Sequence, residues 1–217
     1  CALFLDTPRL EYLLQTVRQK WPGPLVVKCR LGENKPGWRD TLRERLHLFE
    51  RCGVDGVVLH ARFLDEKLKR IARWEEIEWA ASITRLPVVG NGDIVSAADL
   101  HRCAQRCPSA AGFMIGRAAV AQPWLFRHIA DTTPRESIDY LDVWQRLYRY
   151  TCEDFDPHKS LGRIKELTAY FARNFMFGHD LFRATRSADS LEQVYERACA
   201  FLARRPQTVR TPSFSGI

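Results

Sequence analysis

The chain has 217 residues, of which 46% are hydrophobic and 27% are charged, so it has the composition of a globular protein with a substantial core. This composition excludes a disordered, collagen-like or coiled-coil chain. No apolar run reaches the roughly 18 residues of a membrane-spanning helix, and no secretory leader opens the sequence, so we expect a cytoplasmic protein without a membrane segment. The net charge of +7 favours a polyanionic partner.

The seven cysteines are scattered and none lies in a CxxC motif, which is typical of reduced thiols in an intracellular protein. Cys103 and Cys107 are one helical turn apart, but no second pair of His or Cys residues accompanies them, so we expect no metal site. The sequence opens with Cys1 in a helical pattern, and its first methionine is Met114. We therefore expect the natural start to lie upstream.

The first 130 residues alternate helices with apolar strands. Periodicity predicts helices over 9–21, 39–52, 74–83 and 97–107, and strands over 24–31, 54–61, 86–93 and 110–116. A further helix is predicted over 118–129. This repeat is typical of βα units with parallel, buried strands. A closed eight-stranded barrel needs about 250 residues, so the pattern is compatible with either a small open sheet or half a barrel.

Strand patterns disappear after about residue 137, and three helices are predicted over 139–154, 160–177 and 188–204. We therefore predict an α/β domain over 1–136, an all-α domain over 137–204, and a flexible tail over 205–217. The Pro-containing segment 131–137 is the predicted linker. Residues 157–217 contain ten basic and five acidic side chains, so most of the net positive charge is in this region.

Polar residues follow each of the four predicted strands. They are Lys28 and Arg30, His60 and Arg62, Gly90 to Asp93, and Gly116 with Arg117. Parallel α/β folds bind ligands at the carboxyl ends of their strands, and glycine-rich turns that lead into helices can direct N–H groups at a phosphate. Each feature alone has an ordinary structural explanation, such as a turn or a core histidine. Their occurrence at four successive strand ends favours a ligand site.

Four segments together carry a family resemblance. They are VVKCRLG (26–32), GVDGVVLHAR (53–62), LPVVGNGDI (86–94) and GFMIGRAAVAQPWLF (112–126). In this order, and followed by a basic helical region, they resemble the tRNA-dihydrouridine synthases over nearly the whole chain. The resemblance implies that residues 1–136 are the second half of a (β/α)8 TIM barrel that binds FMN. It also implies that residues 137–204 are a helical domain that binds tRNA.

The resemblance implies roles for individual residues. Lys28 matches the lysine that contacts the flavin ring, and His60 matches a histidine near the flavin and the uracil. The loops that hold the FMN phosphate match Asn91, Gly92 and Asp93, together with Gly116 and Arg117. In the family, NADPH reduces FMN, the flavin transfers a hydride to C6 of a tRNA uridine, and a cysteine protonates C5.

That cysteine belongs to an Asn-x-Gly-Cys-Pro motif, which these 217 residues do not contain. None of the seven cysteines replaces it; Cys29, for example, lies within a strand and points away from Lys28. The resemblance therefore implies a C-terminal portion of a synthase that lacks the N-terminal half of the barrel and is inactive alone.

Basic side chains of the helical region are the predicted RNA contacts. Lys159, Arg163 and Lys165 lie between apolar positions of one helix and are expected to face outward, and Arg62 is a further candidate. Two alternatives stay open. One is a non-catalytic RNA-binding remnant, which would purify without flavin. The other is a different FMN barrel, of the dihydroorotate dehydrogenase or old yellow enzyme kind, which the basic helical region disfavours.

Overall fold

A computed structural model describes residues 2–66, 70–130 and 137–214. Cys1 and most of the predicted linker lie outside these ranges. The chain divides into two compact units, and the first consists of residues 1–94 and 98–116. The remaining residues form the second unit.

The first unit is an α/β structure with a parallel four-stranded sheet of order β1-β2-β3-β4, which confirms the predicted class and strand direction. Its strands are β1 (Val26–Arg30), β2 (Gly56–His60), β3 (Val88–Asn91) and β4 (Gly112–Met114). Its helices are α1 (Ala2–Leu5), α2 (Thr7–Lys20), α3 (Trp38–Arg51), α4 (Trp74–Ile83) and α5 (Ala97–Arg106). The four strands therefore coincide with the four predicted apolar runs.

Local sequence explains where these elements begin and how they pack. The carboxylate of Asp6 caps α2 by accepting a hydrogen bond from the backbone N–H of Arg9 at 3.1 Å. On α3, the periodic residues Leu42, Leu46 and Phe49 are completely buried, as the amphipathic pattern predicts. Within the described residues, no helix is long and apolar enough to cross a membrane.

The two faces of the sheet differ in what covers them. Val27, Cys29, Val57, Leu59, Val88 and Phe113 alternate along the strands and pack with the helices in the core. Gly90 lies on the same face, where a Cβ would be 2.9 Å from the ring of Trp74, so the glycine permits α4 to pack closely. The opposite face carries the other residues of each strand, including Lys28 and His60. On this face, Val26 at the start of β1 is 55% exposed.

The second unit is helical. Its helices are α6 (Arg117–Ala121), α7 (Leu125–Ala130), α8 (Tyr140–Asp154), α9 (Pro157–Phe171), α10 (Gly178–Arg186) and α11 (Leu191–Leu202). Trp144 is fully buried among apolar side chains of the other helices, and its indole N–H donates to the hydroxyl of Thr168 at 3.0 Å. The unit therefore has a hydrophobic core of its own. The domain boundary at residue 136 stays a prediction.

Two predicted helices differ from the structure. The helix expected over 118–129 is two helices, α6 and α7, because Pro123 between them lacks a backbone N–H. The helix expected over 160–177 ends at Phe171, and the separate helix α10 follows a short turn. A Cβ at Gly178 would lie 1.9 Å from the carbonyl oxygen of Ala172, so only glycine allows this close approach.

The segment predicted as a flexible tail makes specific contacts up to Phe214. Its Gln207 carbonyl accepts a hydrogen bond from Met176 at 3.0 Å, and Val209 N–H donates to the carbonyl of Asn174 at 2.8 Å. Phe214 is buried. This differs from the expectation because the segment contains apolar side chains that the helices cover. Residues 215–217 lie outside the described ranges.

Candidate functional site

A row of chemically active side chains crosses the face of the sheet opposite to the helices. Parallel register places Arg30 beside His60, His60 beside Asn91, and Asn91 beside Met114. Lys28 lies two residues earlier on β1 and therefore on the same face. The structure thus brings Lys28, His60 and Asn91 of the predicted site to one face of one sheet.

Lys28 is an exposed cation on this face. Partial burial lowers the pKa of its ammonium group, and the neighbouring Arg30 lowers this pKa further. The side chain of Cys29 points to the opposite face, where burial raises its thiol pKa to about 12. At neutral pH, Cys29 is therefore a protonated thiol of the core.

His60, Arg62 and Asp93 form a hydrogen-bonded chain behind the row. Nη1 of Arg62 lies 3.0 Å from Nε2 of His60, and Nη2 of Arg62 donates to Oδ1 of Asp93 at 2.5 Å. The remaining Nε–H of Arg62 donates to the carbonyl of Arg70. The second oxygen of Asp93 accepts from the backbone N–H of Ala72 at 2.8 Å. The chain therefore joins the end of β2 to the loop after β3.

These contacts give Arg62 a role that differs from the predicted RNA contact. Its side chain is almost completely buried, and all three guanidinium nitrogens are bonded within the first unit. Arg62 therefore positions His60 and Asp93 in this conformation. The sequence offers little signal for this, because an arginine after a strand equally fits a surface contact.

The same contacts fix the protonation of His60. A guanidinium group can only donate, so Nε2 of His60 is the acceptor and Nδ1 carries the ring proton. Burial lowers the pKa of His60 to about 4, and the charges of Arg62, Lys28 and Arg30 act in the same direction, whereas Asp93 opposes them. His60 is therefore a neutral hydrogen-bond donor at neutral pH. No residue in the described ranges accepts its Nδ1 proton.

The predicted phosphate loop after β3 uses its side chains internally. The amide of Asn91 donates to the carbonyl of Met114 at 2.9 Å, and the carboxylate of Asp93 is held by Arg62. Gly92 has φ +134°, and a Cβ there would lie 2.7 Å from the Cβ of Ala72. The loop conformation thus requires glycine, and what remains for a ligand is its backbone.

Gly116 and Arg117 follow β4. A Cβ at Gly116 would have no neighbour within 4 Å, so the space beside its backbone is open. Arg117 belongs to the second unit, where its Nη1 donates to the carbonyl of Phe214 at 3.0 Å and its guanidinium lies 5.6 Å from that ring's centre. The described residues offer no hydrogen-bond acceptor to Nε or Nη2 of Arg117, so these nitrogens can donate to a phosphate while Nη1 keeps its contact with Phe214.

The predicted RNA contacts lie on α9. Lys159 and Arg163 are exposed, and Lys165 is half-buried. Arg163 pairs with Glu166 at 2.9 Å, and its guanidinium lies over the ring of Phe155. The outward direction of Lys159 and Arg163 is therefore as the helical pattern predicts, while their contact with RNA stays a prediction.

The cysteines of the described residues are free thiols without a metal-binding cluster around them. The described residues contain no group of three or more His, Cys, Asp or Glu side chains that could hold a metal ion. Burial raises the thiol pKa to about 12 for Cys103 and to about 11 for Cys107. Both thiols are therefore protonated core groups at neutral pH.

Comparison with known proteins gives a consistent result. Residues 1–204 match the sequence profile of the family described as Dihydrouridine synthase (Dus). The chain is 28% identical over 207 residues to a tRNA-dihydrouridine(16) synthase of Aquipseudomonas alcaligenes, a match that covers 89% of the chain and 63% of that relative. It is 33% identical to a rat tRNA-dihydrouridine(47) synthase [NAD(P)(+)]-like protein, with coverage of 70% and 24%.

A third relative, a tRNA-dihydrouridine(16) synthase of Pseudomonas syringae pv. tomato, is 36% identical over 63% of the chain and 43% of its own length. The chain thus spans less than two thirds of each of these relatives. The family match, in contrast, covers nearly every residue of both units. The resemblance carried by the four strand-end motifs is confirmed, and this chain belongs to the dihydrouridine synthase family.

Proposed function

We propose that this chain serves the FMN-dependent, NADPH-driven reduction of the C5=C6 bond of uridine in tRNA to 5,6-dihydrouridine. The observation that carries the proposal is the placement of Lys28 and neutral His60 on one face of the parallel sheet, with His60 at the carboxyl end of β2. The similar proteins are named for this modification of tRNA. We propose that tRNA is also the substrate of this chain and that the chain acts in the cytoplasm.

The residues of this face suit a flavin ring. FMN, when bound, would supply the hydride for the uracil ring. The exposed ammonium of Lys28 would place positive charge beside the electron-rich edge of the flavin. The Nδ1–H of His60 would donate a hydrogen bond to a ring carbonyl without adding a second positive charge.

The phosphate would be bound chiefly by backbone groups. Gly92 belongs to a loop whose Asn91 and Asp93 side chains are engaged in holding its shape, and the space beside Gly116 is open. Backbone N–H groups at such turns bind phosphate without a side chain. Arg117 would add a charge-assisted bond through Nε or Nη2, which its contact with Phe214 does not use.

We also assign the parallel sheet to the second half of a (β/α)8 barrel. In the described residues, β1 and β4 each pair with one neighbour only. A barrel would place the strands of its other half against both edges. The helical second unit would then supply the surface for tRNA.

The 217 residues alone are expected to bind FMN weakly and to leave uridine unreduced. They lack the Asn-x-Gly-Cys-Pro motif, whose cysteine is expected to protonate C5 in the complete synthases. The test compares the purified 217-residue chain with the product of the in-frame coding sequence that includes any residues upstream of Cys1. Dihydrouridine formed on tRNA only by a longer, yellow protein would support the proposal. A colourless longer protein that binds tRNA would instead support the RNA-binding remnant.

Alanine at Lys159 or Arg163 is expected to weaken tRNA binding by roughly threefold to tenfold and to lower the salt dependence by about one phosphate contact. The reason is that both side chains are exposed cations on α9. Filter binding at several salt concentrations measures the effect. Arg146→Ala is the matched control, because Arg146 is also exposed and, like Arg163, pairs with an acid on its own helix. Equal effects in all three variants would contradict the assignment of α9.

A further inference from the structure

The second unit contains a cavity of about 560 Å³ that no step above uses. It lies where the turn after α9 meets α10 and the segment 209–213, and all of its lining residues belong to this unit. Part of the lining consists of the small residues Ala169, Ala172 and Gly178, which leave room for the cavity. Its volume is within the range of small-molecule sites, roughly 300–1,000 Å³.

The charged lining of the cavity is cationic. Arg173 and Arg186 are exposed side chains of the lining, which includes no Asp or Glu. Within the ranges that the structure describes, neither arginine has an ion pair with an acid. A third lining residue, His179, is paired with Asp180 at 3.3 Å. The two arginines therefore provide positive charge that is not neutralised by a described neighbour, which favours an anionic occupant.

Aromatic and apolar groups accompany these cations. The guanidinium of Arg186 lies over the ring of Phe182, with 5.6 Å between the guanidinium carbon and the ring centre. Met176, in the lining, and Phe177, next to it, are more than half exposed. Bases of unpaired nucleotides stack on aromatic side chains, and nearby arginines bind the phosphate backbone, so Phe182 with Arg173 and Arg186 provides both kinds of contact.

We infer that this cavity binds one unpaired nucleotide of the RNA, with the phosphate held by Arg173 and Arg186 and the base packed against Phe182 and Met176. The inference rests on the proposed function, because tRNA is the RNA that would present the nucleotide. It adds a second point of contact, which lies on α10 and its preceding turn and not at the start of α9. Such a contact fixes the tRNA by one splayed nucleotide as well as by its backbone charge.

The first experiment uses small probes and the whole protein. Uridine and adenosine 5′-monophosphate, inorganic phosphate and uridine are titrated in turn, and binding is followed by calorimetry. We expect both nucleotides to bind and to lose affinity in Thr211→Phe, which adds bulk to an exposed lining residue without a change of charge. Two results would overturn the inference. One is that inorganic phosphate binds as tightly as the nucleotides, and the other is that Thr211→Phe leaves nucleotide affinity unchanged.

The second experiment uses tRNA and a matched control. We expect Arg173→Ala and Arg186→Ala each to weaken tRNA binding by roughly threefold to tenfold. Arg183→Ala is the control, since Arg183 is exposed on the same helix as Arg186 but lies outside the cavity lining. Wild-type protein that fails to bind tRNA contradicts the proposed function. If the wild type binds tRNA but all three variants weaken binding equally, only the nucleotide site is contradicted, and the proposed function is not. Thermal unfolding confirms that each variant is folded.

Discussion

Replacement of Asp93 by alanine is expected to lower the free energy of unfolding by about 3 kcal/mol, because it leaves the buried guanidinium of Arg62 without its counter-charge. The side chain of Arg62 is 4% exposed, and Asp93 is its ion-pair partner at 2.5 Å. The same carboxylate also accepts the backbone N–H of Ala72, so the loop before α4 loses a hydrogen bond. Urea denaturation followed by tryptophan fluorescence measures the change.

Two variants test whether burial causes this effect. Asp40→Ala removes an acid from an exposed ion pair with Arg43, and it should cost less than about 1 kcal/mol. The double variant Arg62→Met, Asp93→Ala removes both charges and should recover part of the stability, because no buried charge then lacks a partner. A loss in Asp93→Ala no larger than that in Asp40→Ala would contradict the role of the pair.

The elements of the first unit follow closely from the sequence. Short apolar runs predict β1 to β4 because parallel strands are buried by helices on at least one face, and the helical period of α3 predicts its buried Leu42 and Leu46. Parallel strand direction then places Lys28 and His60 on a common face. This part of the site follows from the register of the strands and from the alternation of side chains along each strand.

The partners of individual side chains could not be predicted in this way. The strand-end pattern suggests Arg62 and Asp93 as ligand contacts, yet the structure pairs them with each other, 31 positions apart in sequence. Their pairing depends on how the loops after β2 and β3 meet, and no periodicity encodes that. Helix α10 escaped prediction for a related reason, since the glycine at its start is explained only by the carbonyl of Ala172.

His60→Gln is expected to remove a pH dependence of stability that the wild-type protein shows between pH 7 and pH 5. The pKa of His60 is about 4 in the folded protein and 6.5 as an ordinary histidine. Below pH 6.5 the unfolded state therefore binds a proton that the folded state does not, so stability falls as the pH falls. From pH 7 to pH 5 this loss amounts to about 2 kcal/mol.

The comparison with glutamine isolates His60 from the carboxylates. Glu50 and Glu66 also have lowered pKa values. Because they are carboxylates, the stability that they contribute to the folded protein is lost mainly below pH 5. Glutamine can accept the hydrogen bond from Arg62 and carries no titrating proton. Urea denaturation at pH 7 and pH 5 should therefore show a smaller decrease for His60→Gln than for the wild type.

Equal decreases in the two proteins would mean that His60 is protonated in the folded state near its ordinary pKa, which contradicts the Nδ1-protonated neutral ring. A smaller decrease in the variant would show that His60 stays neutral throughout the pH range in which most enzymes act. A neutral imidazole whose Nε2 accepts from Arg62 can orient a flavin or uracil carbonyl through Nδ1–H. It has no spare proton to transfer at neutral pH, so protonation of the uracil would require another acid.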